Sequence, residues 1–142
     1  TIPEGPHTVE YWSVDNNGNE ELPHKSITLE VDTTPPTVEI IKPEAGKLYL
    51  FGSPIMNRIL SEKTLCIGKV PVEATATDQS GIMNVLFKYN NETHWDSSAP
   101  YKDTFSEMHF GPLTISVSAV DNNGLRSDPV TMEIVVYCLG LF

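Results

Sequence analysis

Gly5-Pro6-His7-Thr8-Val9-Glu10-Tyr11-Trp12-Ser13-Val14-Asp15-Asn16-Asn17-Gly18 occurs a second time in the chain, as Gly111-Pro112-Leu113-Thr114-Ile115-Ser116-Val117-Ser118-Ala119-Val120-Asp121-Asn122-Asn123-Gly124. Eight of the fourteen positions are identical at a constant offset of 106 residues. Chance gives about one match, so the stretch is an internal repeat. Each copy reads as an alternating strand that runs into a polar Asp-Asn-Asn-Gly turn, followed by a second strand. Successive side chains of a strand point to opposite faces. Val9, Tyr11 and Ser13 therefore share one face, and Thr8, Glu10 and Trp12 share the other. Asn and Gly in the turn accept positive φ. Ser26-Ile27-Thr28-Leu29-Glu30-Val31 returns with the same alternation. A lone two-stranded hairpin is marginal in water. The first copy has almost no chain before it and the second has a domain's worth. Residues 1–34 are thus expected to be the last hairpin of a preceding repeat, in a chain cut from a longer tandem array.

Asp32-Thr33-Thr34-Pro35-Pro36 marks the boundary. Its two prolines cannot donate ladder hydrogen bonds and hold the backbone extended, which makes the connector short and stiff. Residues 35–142 then form the main domain. Thr37 to Ile41 reads as its first strand, and Leu48 to Phe51 is strand-like. Ser53 to Lys63 is open between a covered loop and one helical turn carrying Ile55, Met56, Ile59 and Leu60. Leu65-Cys66-Ile67 is a short strand. Val70, Val72, Ala74 and Ala76 alternate with Pro71, Glu73, Thr75 and Thr77 in a half-buried one. Val85, Phe87 and Tyr89 alternate in the next. Strands follow at Thr93–Trp95, Tyr101–Phe105, Leu113–Val120 and Pro129–Tyr137. Seven or more short strands with regular turn signals predict an all-β sandwich.

The 142 residues leave room for one ordinary domain plus a remnant. A net charge of -10 argues against a nucleic-acid surface, which needs clustered Lys and Arg. No stretch reaches the ~18 apolar residues of a membrane helix; Ile134 to Phe142 reads as a last strand with an apolar tail. The chain opens without an initiator Met or a signal-peptide pattern, so Thr1 reads as a processed or internal start and targeting does not set the compartment.

Asp32-Thr33-Thr34-Pro35-Pro36 ahead of an alternating strand, Ala74-Thr75-Ala76-Thr77-Asp78-Gln79-Ser80-Gly81-Ile82, and the Val-Asp-Asn-Asn-Gly turn resemble bacterial and archaeal immunoglobulin-like repeats of cell-surface and secreted proteins. The resemblance covers Thr33 to about Val136, and residues 5–34 as the last two strands of a preceding repeat. It implies an immunoglobulin-like β-sandwich, an extracellular or cell-surface location, and a non-catalytic role as spacer or adhesive repeat. The implied partners are neighbouring repeats of the same chain, and other surface proteins or glycans. The alternative is a carbohydrate- or ligand-binding accessory domain of a secreted hydrolase.

The candidate chemistry is sparse. His7, His24, His94 and His109 sit in no His-Glu-x-x-His motif, and the chain has no Gly-x-Ser-x-Gly elbow or phosphate-cradling glycine loop. An enzyme is not expected. Asp15, Asp32, Asp78 and Asp121 fall in turns or at the linker, where oxygen ligands for calcium could gather, with Asp32 and Asp78 the pair expected to meet at the linker end of the sandwich. The spacing does not follow the known calcium loop, and turn formation accounts for these aspartates without an ion, so no cofactor is implied. Exposed aromatics make sugar platforms, which singles out Trp12 and Trp95, although large aromatics more often cover sheet or core. Cys66 lies between two apolar residues and reads as buried. Its strand is expected to run beside the last one, which ends at Cys138, and an oxidising exterior permits a Cys66–Cys138 disulfide if the Cα atoms lie within about 7 Å.

Overall fold

The structure, a computed structural model, describes residues 3–57 and 63–140. The chain divides into two units, Thr1–Thr34 and Pro35–Phe142.

The first unit is a hairpin. Strand β1 (Gly5–Tyr11) pairs antiparallel with β2 (Lys25–Val31), from Gly5 opposite Val31 to Tyr11 opposite Lys25. Beyond the paired strands, Asp15 Oδ1 accepts the backbone N–H groups of Asn17 and Asn19 at 2.9 and 2.8 Å, and Gly18 N donates to the Asp15 carbonyl at 3.1 Å. One face of this hairpin is apolar and open: Val9 and Tyr11 are 45% and 51% exposed, Ile27 and Leu29 52% and 46%.

The second unit is a sandwich of two sheets. Its strands are β3 (Thr37–Lys42), β4 (Lys47–Leu50), β5 (Ser53–Asn57), β6 (Leu65–Ile67), β7 (Val70–Thr77), β8 (Ile82–Tyr89), β9 (Glu92–Asp96), β10 (Tyr101–Phe105), β11 (His109–Asp121) and β12 (Val130–Cys138). One sheet has the order β10-β7-β3 and the other β5-β4-β6-β12-β11-β8-β9. Most pairs are antiparallel, but β6 lies parallel to both β12 and β4. The short strand of Cys66 does run beside the last strand, as its sequence suggested.

Alternation places the core. Leu113, Ile115, Val117 and Ala119 of β11 are fully buried, and so are Val85, Phe87 and Tyr89 of β8. They face Val70, Val72 and Ala74 of β7 and the rings of Tyr101 and Phe105 on β10. Burying a side chain of this size contributes about 1.5–3 kcal/mol each, the main favourable term of the fold.

Ser53–Asn57 is a strand, not a helical turn. Phe51 and Gly52 both take positive φ, 51° and 88°, and reverse the chain at once. The next residues run back along β4, with Met56 opposite Leu48, and pair its edge groups. Ile55 and Met56 stay exposed there. Ile59 and Leu60 lie outside the described residues.

The two repeat copies adopt the same conformation. Seven successive pairs of the hairpin, Gly5–Val31 to Tyr11–Lys25, match Gly111–Val136 to Val117–Val130 in β11 and β12. The turns agree as well. Glu21 N donates to the Ser13 carbonyl at 2.8 Å, and Ser127 N to the Ala119 carbonyl at 2.9 Å. Gly5 and Gly111 have φ of 112° and 113°.

In the second unit the turn is stitched to its neighbour. Asn122 N donates to the Gly81 carbonyl at 3.1 Å, and Asn122 Nδ2 donates to the Ser80 carbonyl at 2.7 Å. Gly81 and Gly124 have φ of 90° and 87°. A Cβ on Gly124 would meet nothing within 4 Å, whereas one on Gly81 would come 2.7 Å from Asn122 Nδ2. Gly124→Val should therefore cost about 1 kcal/mol or more from backbone strain alone. Gly81→Ala should add the loss of the Asn122 amide bond, about 1 kcal/mol further. Chemical denaturation of the two variants checks both the size and the order.

Candidate functional site

The histidines hold structure together locally. His7 Nε2 lies 2.5 Å from the Pro3 carbonyl, and His109 Nε2 lies 2.8 Å from that of Pro112. His24 sits between Glu10, at 2.6 Å, and Glu20. Its ring stacks on Trp12 with centroids 4.0 Å apart and planes 8° apart. One face of the Trp12 indole is thus covered by an imidazole. Trp95 is 66% exposed on the edge strand β9, opposite Leu86. The two tryptophans belong to separate units.

His94 belongs to a polar network that sequence reasoning did not find. Asp103 Oδ2, on β10, accepts the Tyr89 hydroxyl and His94 Nδ1, each at 2.7 Å. Tyr89 and His94 come from the seven-stranded sheet and Asp103 from the three-stranded one, so the network ties the two layers together at one edge. Asp103 lies nine positions from His94 and fourteen from Tyr89, and only the folded sheets bring it to them. Tyr89 is 1% exposed, and burial raises its phenol pKa far above the ordinary range, with the bond to Asp103 adding to the shift. Tyr89→Phe should cost about 2 kcal/mol, the worth of a hydrogen bond to a charged acceptor, as read by urea unfolding.

Cys66 and Cys138 are free, buried thiols, not the expected bridge. Register explains the difference. Cys66 lies opposite Val136, two residues short of Cys138 on the same strand. Cys138 Sγ instead donates to the Ser106 carbonyl at 3.4 Å. Burial pushes the Cys66 thiol from its ordinary 9.0 up to about 12. Both Cys66 and Tyr89 are neutral when protonated, and both have folded values raised above their unfolded ones. The Cys66 contribution is complete below about pH 9 and is lost as pH rises from about 9 towards 12, and that of Tyr89 begins to be lost above its ordinary 10.0, at about 1.4 kcal/mol per pH unit for each group while it titrates only in the unfolded state. Denaturation midpoints measured from pH 8 to 11 should fall accordingly, and unreduced protein in denaturant should titrate two thiols.

The four candidate aspartates, Asp15, Asp32, Asp78 and Asp121, make Asx turns. Asp32, in the first unit, accepts Thr34 N at 3.0 Å. Asp78, in the second, accepts Ser80 N and Ser80 Oγ on Oδ2 at 2.8 and 2.7 Å. Each belongs to its own unit. Asp121, by contrast, shares a unit with Asp78, and a carboxylate oxygen of each lies within 4.8 Å of the other's. Asp121 Oδ1 accepts Asn123 N and Leu125 N, both at 2.8 Å.

Two surface features complete the second unit. An open groove of about 540 Å³ runs between β3 and β12, lined by Ile40, Ile41, Pro43 and Met132 among others. On the outer face of the large sheet, Leu50, Ile67, Tyr137 and Phe110 form one row across β4, β6, β12 and β11. All four are exposed, and the rings of Phe110 and Tyr137 are 6.5 Å apart. Sequence reading missed this row because each strand contributes one residue to it.

These features define an immunoglobulin-like β-sandwich module with an additional hairpin. No family model matches the chain. It is similar to Hyalin of Strongylocentrotus purpuratus, at 29% identity over 94% of the chain, and spans 11% of that protein's length. Among solved structures it resembles a fibronectin(III)-like module of Clostridium thermocellum CbhA, with a TM-score of 0.54 and 23% identity. That likeness covers 72% of this chain and 98% of the other, and it concerns the fold.

Proposed function

We propose that the chain is a non-catalytic, extracellular immunoglobulin-like module that spaces or presents other domains of a longer surface or secreted protein, of the kind its sequence resembles in bacteria and archaea. One observation carries this reading: the same hairpin occurs twice, buried in one copy and bare in the other. Leu113, Ile115, Ile134 and Val136 are fully covered by the small sheet of their sandwich. Their counterparts in the first copy are His7, Val9, Leu29 and Val31, and Val9 and Leu29 stay nearly half exposed. A hairpin with this register and this open face is the closing pair of a sandwich whose other strands lie upstream. The natural partner is then a neighbouring repeat. A second reading, a ligand-binding accessory domain, is favoured by the exposed row that includes Phe110 and Tyr137, which a sugar ring or an apolar partner could cover.

The second unit carries its own β11 and β12 and does not need the hairpin to close its core. A chain beginning at Asp32 should unfold cooperatively with a melting temperature within a few degrees of the whole. In the longer parent chain, the amides of β1 and β2 should exchange as slowly as those of β11 and β12, and in the 142-residue chain much faster. Equal and rapid exchange of the hairpin in both chains would rule out the tandem reading. Glycan-array binding that is lost with Tyr137→Ala would support the ligand-binding one.

A further inference from the structure

We infer that Asp78 and Asp121 form a calcium site at the end of the sandwich where their two turns are stitched together. The inference starts from a comparison of the two repeat copies. In the first, Asp15 Oδ1 accepts two backbone N–H groups, and Oδ2 accepts Asn19 Nδ2 at 2.9 Å. Asp121 is the equivalent of Asp15 and makes the same two backbone bonds through Oδ1. The equivalent of Asn19, however, is Leu125, which has no side-chain donor. Asp121 Oδ2 is consequently left with no hydrogen-bond partner. It is also buried: Asp121 is 0% exposed, whereas Asp15 is in contact with solvent.

A buried carboxylate oxygen without a partner is costly. Strand parity brings it inside, because Asp121 follows Leu113, Ile115, Val117 and Ala119 on the same inward face. Arg126, five residues on, directs its Nε to Ser118 Oγ at 3.2 Å. What does stand near is a second carboxylate. The Asn122 bonds to Ser80 and Gly81 hold the turn of Asp78 against that of Asp121, and place oxygens of the two acids within 4.8 Å.

Two anionic oxygens held together, one of them buried and unpaired, call for a hard cation. Calcium binds oxygen at 2.3–2.6 Å, so two of its ligands can stand up to about 5 Å apart, whereas magnesium at 2.0–2.1 Å draws them within about 4.2 Å. The separation, within 4.8 Å, is inside the calcium range, and calcium is the ion that takes such carboxylate oxygens without a rigid octahedral frame. Water and further oxygen donors complete its coordination. The ion would neutralise the repulsion between the two acids and lock the turns at that end.

The test is calorimetric titration of the chelator-treated 142-residue chain with calcium chloride, together with melting curves. One saturable site is expected, with a Kd in the range of about 10⁻⁴ to 10⁻³ M typical of extracellular modules, and a melting temperature that rises with calcium. An asparagine at either position keeps one side-chain oxygen to accept the turn's N–H groups, as Oδ1 of Asp121 and Oδ2 of Asp78 do, so Asp121→Asn and Asp78→Asn should both fold. Each should weaken calcium binding at least about tenfold, the effect of losing one charged ligand. Asp15→Asn, in the copy whose oxygens are already satisfied, should leave the affinity unchanged. Absence of saturable binding up to about 10 mM calcium, well above that range, would overturn the site. So would binding that survives both Asp78→Asn and Asp121→Asn, or magnesium binding in preference to calcium.

Discussion

Strand β11 imposes the constraint on which the second unit depends. It runs thirteen residues through the interior of the seven-stranded sheet, paired on both sides by β8 and β12. With both edges used, its side chains have only two directions available. Every second one enters the space between the sheets and must be covered. The three-stranded sheet exists to cover them, and β7 meets them with small and β-branched residues that fit between the layers. The same parity that fills the core with Leu113, Ile115 and Val117 carries Asp121 into its end. A polar group there is tolerated because the turn supplies donors for one of its oxygens.

The repeat gives an internal control for these effects. Two segments share a register, a turn and a glycine geometry, yet their faces differ in burial. Backbone conformation is therefore fixed locally, by the alternating strand and by the Asp-Asn-Asn-Gly turn. Burial is fixed by what lies across the sandwich. The substitution of Leu125 for Asn19 shows the two levels acting together. The loop keeps its shape, because backbone donors hold it, while the chemistry of the acid at its start changes.

Much of the fold was legible because the signals were local. Alternation in Val70–Thr77 and in Val85–Tyr89 identified strands and their inward faces. The turn residues identified where the chain reverses. What escaped reading was non-local. Nothing around Ile55 and Met56 marks a strand, since both are exposed on an edge and the pairing comes from β4. The register that separates Cys66 from Cys138 depends on where a three-residue parallel strand settles, which no local pattern sets. The tie between His94, Asp103 and Tyr89 joins two sheets, and Asp103 reads in sequence as one more acid in a polar strand. Asp78 and Asp121 were both legible as turn acids with ligand character, but the sequence paired Asp78 with Asp32, and its nearness to Asp121 emerged only with the stitching of the two turns by Asn122.

The sheets of the second unit are open, and each open edge is a place where a foreign strand could attach. At the margins of the large sheet stand β5, which carries Pro54, and β9, which carries Glu92 and Asp96. The small sheet ends in β3, with Glu39 and Lys42, and in β10, with Lys102 and Asp103. Proline cannot extend a ladder, and charges resist burial in one. Such borders matter most when similar modules sit side by side on one polypeptide, where neighbours could exchange strands during folding. A charged or proline-bearing margin keeps each module's ladder its own.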